Sequence, residues 1–262
     1  MSYQALKFEV SDQVATITLH RPDAANSLNR QMGDELLAVA NHCISNTNIR
    51  AVILTAEGKM FCAGGDVAGF ADSENPGELL RGITSGLHAA IQRFQRMDAP
   101  LVIAVNGVAA GAGMSIAISG DFVLAGESAQ FTMAYTRIGL SPDGSSTFFL
   151  PRLVGVLKAK ELMINNPVLG AAEALELGLV SQVVADADLM AAAQKLAGKL
   201  AAGPTRAYGE VKRLLADSLN SSLDAQLERE TRAIADLANF SEDAKNGIAA
   251  FMAKEKATFK GH

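Results

Sequence analysis

From Ala99 to Gly120 the chain carries no charged residue: APLVIAVNGVAAGAGMSIAISG. A run of that length is long enough to cross a bilayer as a helix. Its composition forbids that use. Pro100, Asn106, Gly107, Gly111, Gly113, Ser115, Ser119 and Gly120 interrupt it, and only LVIAV is strongly apolar, whereas a spanning helix needs sustained hydrophobicity. What fits is a strand buried on both faces, LVIAV, then a turn at Asn106-Gly107, then a small-residue helix packed tightly inside the protein. No membrane partner is expected. A strand with no polar alternation must be covered on both sides, and that demand shapes the rest of the chain.

The order of elements meets it. KFEVSDQVATITLH reads as a hairpin, LNRQMGDELLAVANHC as a helix and RAVILTA as a second buried strand. ELLRGITSGLHAAIQRFQRM is an amphipathic helix that leads to LVIAV and later to DFVLAG. Strands alternating with helices imply crossover units, a mostly parallel sheet and the α/β class. After Pro204 the patterns are helical only, in SSLDAQLERETRAIADLANF and SEDAKNGIAAFMAKEKATF. The expected division is a core over residues 1–200 and a helical segment over 201–262. Apolar stripes on the helical segment would pack it on the core and on neighbouring subunits.

With 49% apolar residues among 262, a large core is available. A net charge of −5 argues against nucleic acid as a partner. Cys43 and Cys62 make no disulfide framework, and no Cys/His cluster suggests a metal. The opening MSYQALKFEVSDQ lacks the basic-then-apolar pattern of a signal peptide, so the cytoplasm is the expected compartment.

Two glycine-rich turns stand at strand ends: KMFCAGGDV after AVILTA, and NGVAAGAGMS after LVIAV. Neither has the spacing of a dinucleotide or phosphate loop. Each alone is explained by tight packing of a strand on a helix. Together they could aim two backbone N–H groups at one point, which is what stabilising an oxyanion or enolate requires. One carboxylate sits in a suggestive place. Asp143, in RIGLSPDGSSTF, lies in a good β-turn sequence, Ser141-Pro142-Asp143-Gly144, and is either a turn residue or a working acid.

HRPDAANSLN, MFCAGGDV, NGVAAGAGMSIAISGDFVLAGESAQF, RIGLSPDGSSTFFLPRLVG, EALELGLVSQVV and GIAAFMAKEKATFKG, in that order, resemble the crotonase (enoyl-CoA hydratase/isomerase) superfamily. The resemblance implies the ClpP/crotonase-like fold, with repeated ββα units and a C-terminal helical trimerisation region. It also implies an acyl-CoA thioester substrate and a homotrimer or a dimer of trimers. No metal or redox cofactor is implied, since coenzyme A arrives with the substrate. Carried onto this chain, the oxyanion-hole N–H groups are those of Gly65 and Ala112. The CoA-binding segments match Ala24, Ala25 and Asn26, and Ala63, Gly64, Asp66 and Val67, with Gly111 beside the second donor. Phe251 and Lys254, on the last helix, match residues that reach a neighbour's CoA.

Membership does not fix the reaction. Hydratases of this family resemble one another in two glutamates, and here those positions hold Ser115 and Tyr135. Neither is a general base near neutral pH, so ordinary hydration is disfavoured and both side chains are expected to line the acyl pocket. Asp143 remains. IGLSPD resembles the IGLxPD stretch of phenylacetate-pathway enoyl-CoA isomerases, in which the aspartate is catalytic. A lone carboxylate suits a 1,3-proton shift through a dienolate, and Asp143 is expected to be buried among Leu140, Phe148 and Phe149.

Three alternatives stay open. One is a hydratase with atypical residues. Another is an enzyme similar to 4-chlorobenzoyl-CoA dehalogenase, with Asp143 as nucleophile, an aromatic residue at Tyr135 (a tryptophan in the dehalogenase) and a histidine at His88. The last is a non-catalytic CoA-binding member. His88 reads more simply as a surface or packing residue, and Cys62 as filler. The lysine-rich helix of RNA-binding relatives is absent, since LLRGITSGLHAAIQRFQRM holds arginines only.

Overall fold

The computed structural model describes residues 3–71 and 73–262. Its strands, in chain order, are β1 (Leu6–Ser11), β2 (Val14–Leu19), β3 (Ala51–Ala56), β4 (Met60–Cys62), β5 (Leu101–Val105), β6 (Val108–Ala110), β7 (Phe122–Gly126), β8 (Gln130–Thr132), β9 (Leu169–Gly170) and β10 (Gln182–Val184). The helices are α1 (Arg30–Ser45), α2 (Val67–Ala71), α3 (Pro76–Arg96), α4 (Ala112–Ala117), α5 (Ser146–Val154), α6 (Val156–Asn165), α7 (Ala171–Glu176), α8 (Leu189–Ala201), α9 (Thr205–Ser218), α10 (Leu223–Phe240) and α11 (Glu242–Ala253).

The strands form two sheets. One runs β1-β2-β3-β5-β7-β10, the other β4-β6-β8-β9. β1 and β2 are the expected antiparallel hairpin, turned at Asp12 and Gln13, both at positive φ. This is the twist that two-residue hairpin loops favour. From β2 to β10 the large sheet is parallel. Every residue of β3 and β5 is buried, as strands covered on both faces must be. α8 covers one face through Leu189, Ala193 and Ala197, and α1 packs against α3 on the other side of the core.

The repeated ββα unit is visible in the pairings. β3 and β4, β5 and β6, and β7 and β8 each send one strand to the large sheet and the next to the small one. A three-residue strand, β6, stands between the Gly107 turn and α4, where the sequence suggested the helix would begin at once. Because β4, β6 and β8 are parallel, their C-terminal ends open on the same edge. Ala63–Gly65, Gly111–Ala112 and Ala134–Tyr135 follow those ends.

The helical region is tied to the core at two places. From α9, Lys212 is buried, paired with Asp121 at 2.7 Å and donating to the Phe94 and Ala99 carbonyls. Arg50, at the foot of β3 and 3% exposed, donates to Thr205 Oγ1, to the Gly203 carbonyl and to the Phe259 carbonyl. Buried Asp243 in turn accepts from the N–H groups of Lys260 and Gly261. α10 buries none of its residues, and Leu223, Ile234, Phe240, Ile248, Phe251 and Met252 are exposed on α10 and α11. Among the described residues, no helix is long and apolar enough to cross a membrane.

Candidate active site

The edge where the three short strands end is a cavity of about 390 Å³. Ala63, Gly64, Gly65 and Val67 line it from the first glycine turn, and Gly111 and Ala112 from the second. Tyr135 and Asp143 come from the segment after β8, and the apolar wall is Leu28, Phe70, Leu80, Ile83 and Leu87. The two turns touch. A methyl placed on Gly64 (φ +103°) would lie 3.1 Å from the Ala110 carbonyl oxygen and 3.6 Å from the Ala112 nitrogen.

The donors are left free by the local structure. Leu28 N–H donates to the Gly64 carbonyl at 2.7 Å, and Asp66 N–H to the Leu28 carbonyl at 2.9 Å, forming a parallel bridge. Successive N–H groups of extended backbone point to opposite sides, so the Gly65 N–H faces away from Leu28, and Gly65 itself lines the cavity. Ala112 is the first residue of α4, where an N–H has no intrahelical acceptor.

Asp143 opens a turn rather than occupying its middle. The Ser146 N–H and hydroxyl both donate to the Asp143 carbonyl, with Gly144 and Ser145 at φ +61° and +72°. The turn therefore spans 143–146, two residues later than Ser-Pro-Asp-Gly suggested. Its two central residues need positive φ, which glycine supplies freely. The carboxylate is thereby directed into the cavity. Tyr135 Oη donates to Asp143 Oδ1 at 2.7 Å, and Ser115 Oγ lies 3.0 Å from Tyr135 Oη. Burial, and then the Asp143 charge, hold the Tyr135 phenol above its ordinary range, so it keeps its proton for that bond.

His88, exposed as a surface reading expected, also reaches this group. Its Nε2 accepts from the Gly144 N–H at 3.2 Å and stands 3.5 Å from Asp143 Oδ2.

Other expected residues lie elsewhere. Ser115 is fully buried behind Tyr135 and does not line the cavity. Asn26 is also fully buried, accepting from Arg21 N–H and donating to the Glu57 and Met60 carbonyls, so its side chain is spent inside the protein. Ala24 and Ala25 precede it half-buried. Asp66 accepts from Arg21 Nη2 at 3.1 Å. Phe251 is 81% exposed, and neither it nor Lys254 is among the cavity residues. Leu140 lines the cavity, but Phe148 and Phe149 border a different one of about 490 Å³ beside α9. The Arg137 side of the cavity was not anticipated. Among the described residues, no three His, Cys, Asp or Glu side chains are grouped as metal ligands would be.

Cys62 ends β4 with no exposed surface, and burial pushes its thiol, like that of Cys43, up to about 12. A thiolate is the reactive form. Neither cysteine should therefore react with iodoacetamide at pH 8 while the protein is folded, and both should react in denaturant. Mass spectrometry of the alkylated chain checks this, and fast labelling of folded Cys62 would contradict it.

Comparisons with known proteins identify the chain's relatives. The Enoyl-CoA hydratase/isomerase family model matches residues 9–262. The chain is 37% identical to the 1,2-epoxyphenylacetyl-CoA isomerase of Escherichia coli K12 over 254 residues, covering 96% of this chain and 97% of that one. It is 33% identical to 4-chlorobenzoyl coenzyme A dehalogenase-2 of an Arthrobacter species over 231 residues, covering 87% and 83%. The crystal structure of an enoyl-CoA hydratase from Polaromonas sp. JS666 superposes with a TM-score of 0.92 at 32% identity, covering 98% of this chain and all of that one. The fold is thus the crotonase fold, and the chain belongs to the enoyl-CoA hydratase/isomerase family, which acts on acyl-CoA thioesters.

Proposed function

We propose that this protein isomerises an enoyl-CoA by a 1,3-proton shift, with Asp143 as the acid/base. The observation that carries the reading is the composition of the cavity wall. Asp143 is the one carboxylate among the described residues lining it, and both glycine turns line the same cavity. Hydration calls for two groups, one to activate water and one to protonate carbon. Double-bond transfer calls for one base that removes a proton and returns it two carbons away. Asp143 takes the proton alpha to the thioester, the N–H groups of Gly65 and Ala112 hold the dienolate oxygen, and the acid so formed delivers the proton at the gamma carbon. Tyr135 anchors Oδ1 and leaves Oδ2 for the transfer. The CoA carried by the substrate is the only coenzyme this scheme uses, held along Ala24–Asn26 and Ala63–Val67. A homotrimer, joined through the exposed apolar faces of α10 and α11, would bring Phe251 and Lys254 to a neighbour's CoA.

A second reading is favoured by one contact, His88 beside Asp143. There Asp143 Oδ2 attacks a ring carbon of an aryl-CoA, halide leaves, and His88 activates the water that cleaves the resulting ester. Purified protein assayed with 3-enoyl-, 2-enoyl- and 4-chlorobenzoyl-CoA separates the two. Conversion of 3-enoyl to conjugated 2-enoyl thioester, without chloride release, is the expected result. Chloride release, or hydration outpacing isomerisation, would replace the reading.

A further inference from the structure

The segment joining β2 to α1 is wound onto the first glycine turn by contacts that no step above employs. Arg21 N–H donates to Asn26 Oδ1 at 2.8 Å, and Asn26 Nδ2 to the Glu57 and Met60 carbonyls, each at 2.8 Å. Ala63 N–H donates to the Ala25 carbonyl at 3.0 Å, just ahead of the Leu28–Gly65 bridge. The Arg21 guanidinium crosses this ladder. Nη1 donates to the Ser27 carbonyl, and Nη2 pairs with Asp66 Oδ2 at 3.1 Å. Ser27 and Asp66 flank the bridge on either strand.

We propose that Arg21 is a positioning residue of the anion cradle. By joining the Ser27 carbonyl to the Asp66 carboxylate it braces the Leu28–Gly65 bridge, in which Leu28 N–H holds the Gly64 carbonyl and so sets the peptide that carries the Gly65 N–H. The inference rests on reading Gly65 as a donor. Beyond Asp66 the turn is held mainly by Phe70, which packs on the core and against Gly65, since α2 has five residues, none fully buried, and Val67 is 49% exposed. Asp66 Oδ1 also accepts from Gly69 N–H at 3.4 Å, so the arginine sets the start of α2 as well. The guanidinium's planar fork can serve a carbonyl and a carboxylate at once, whereas an ammonium is a point charge. A donor displaced by about 1 Å costs on the order of 10²-fold in rate.

The test is to measure kcat, KM and Tm for Arg21→Met, Arg21→Lys, Asp66→Asn and the double variant Arg21→Met/Asp66→Asn. The absorption of bound dimethylaminocinnamoyl-CoA, which moves to the red when its carbonyl is polarised, is recorded alongside. The expected result is kcat down about 10- to 100-fold with KM nearly unchanged and a smaller red shift. Arg21→Lys should fall between, and the double variant should be no worse than the worse single one. Unchanged kcat and red shift overturn the inference. So does a loss confined to KM, which would make the pair a CoA contact, or a loss that tracks Tm and disappears on cooling. If the wild type binds the probe without a red shift, the donor reading of Gly65 fails and takes this inference with it.

Discussion

Asp143→Asn is expected to lower isomerisation by about 10³-fold, within the 10²–10⁴ range of general acid–base groups, while leaving thioester binding in place. The amide is the same size as the carboxyl and still accepts the Tyr135 hydroxyl now held at 2.7 Å. The turn after it is made by the main chain, through Ser146 and the Asp143 carbonyl. What disappears is a group that can take a proton. The sharpest readout is exchange of the alpha hydrogen of a 3-enoyl-CoA in D₂O. Wild type should exchange it, because the dienolate forms reversibly, and the variant should not. A variant that still exchanges would move the base elsewhere, with His88 next in line at 3.5 Å from Asp143 Oδ2. A covalent ester on Asp143, seen by mass spectrometry with an aryl-CoA, would mark a nucleophile instead of a base.

Ala112→Pro should cost about 10²–10³-fold in kcat, the usual loss for one oxyanion donor, with a much smaller effect on stability. Backbone donors are hard to delete, but this one sits where proline is tolerated. Ala112 is the first residue of α4, and a helix does not use the N–H of that residue. The preceding Gly111, at φ 52° and ψ −123°, occupies backbone space that glycine enters without strain. The substitution thus removes the hydrogen that the proposed scheme gives to the thioester oxygen and puts a methylene in its place. kcat on 3-enoyl-CoA, alongside thermal melting, decides it. Full activity in a folded variant would show that Ala112 is not a donor. Gly113 is a poor site for the same question, because a methyl there would meet the Cys62 carbonyl oxygen at 2.1 Å and report on folding.

The large sheet was readable because LVIAV and AVILTA are runs that only a doubly covered strand can use. The small sheet was not. Met60–Cys62, Val108–Ala110 and Gln130–Thr132 are three residues each, too short for a period of two to register, and glycines adjoin one of them on both sides. Those strands are what bring the two glycine turns and Tyr135 to one edge, so the site's plan came from resemblance rather than from pattern. The Asp143 turn was misplaced because Pro142 advertises a turn centre, while Gly144 and Ser145 adopt the positive φ that makes the actual one. His88 was named only through the dehalogenase resemblance, and Arg21 gave no sign at all. Each matters through a residue more than forty positions away, which only packing reveals.

The hold of Arg50 on Phe259 joins residues 209 positions apart. Contacts so distant in sequence repay the cost of loop closure only after nearer ones have formed. The ββα core, whose pairings are closer in sequence, can therefore assemble first, cavity included, and the helical region locks on afterwards. Until then a guanidinium destined for burial waits with part of its hydrogen-bonding capacity unfilled. Its remaining bonds come from Thr205, Gly203 and Phe259, none of which lines the cavity, so the site and the lock of the helical region lie apart.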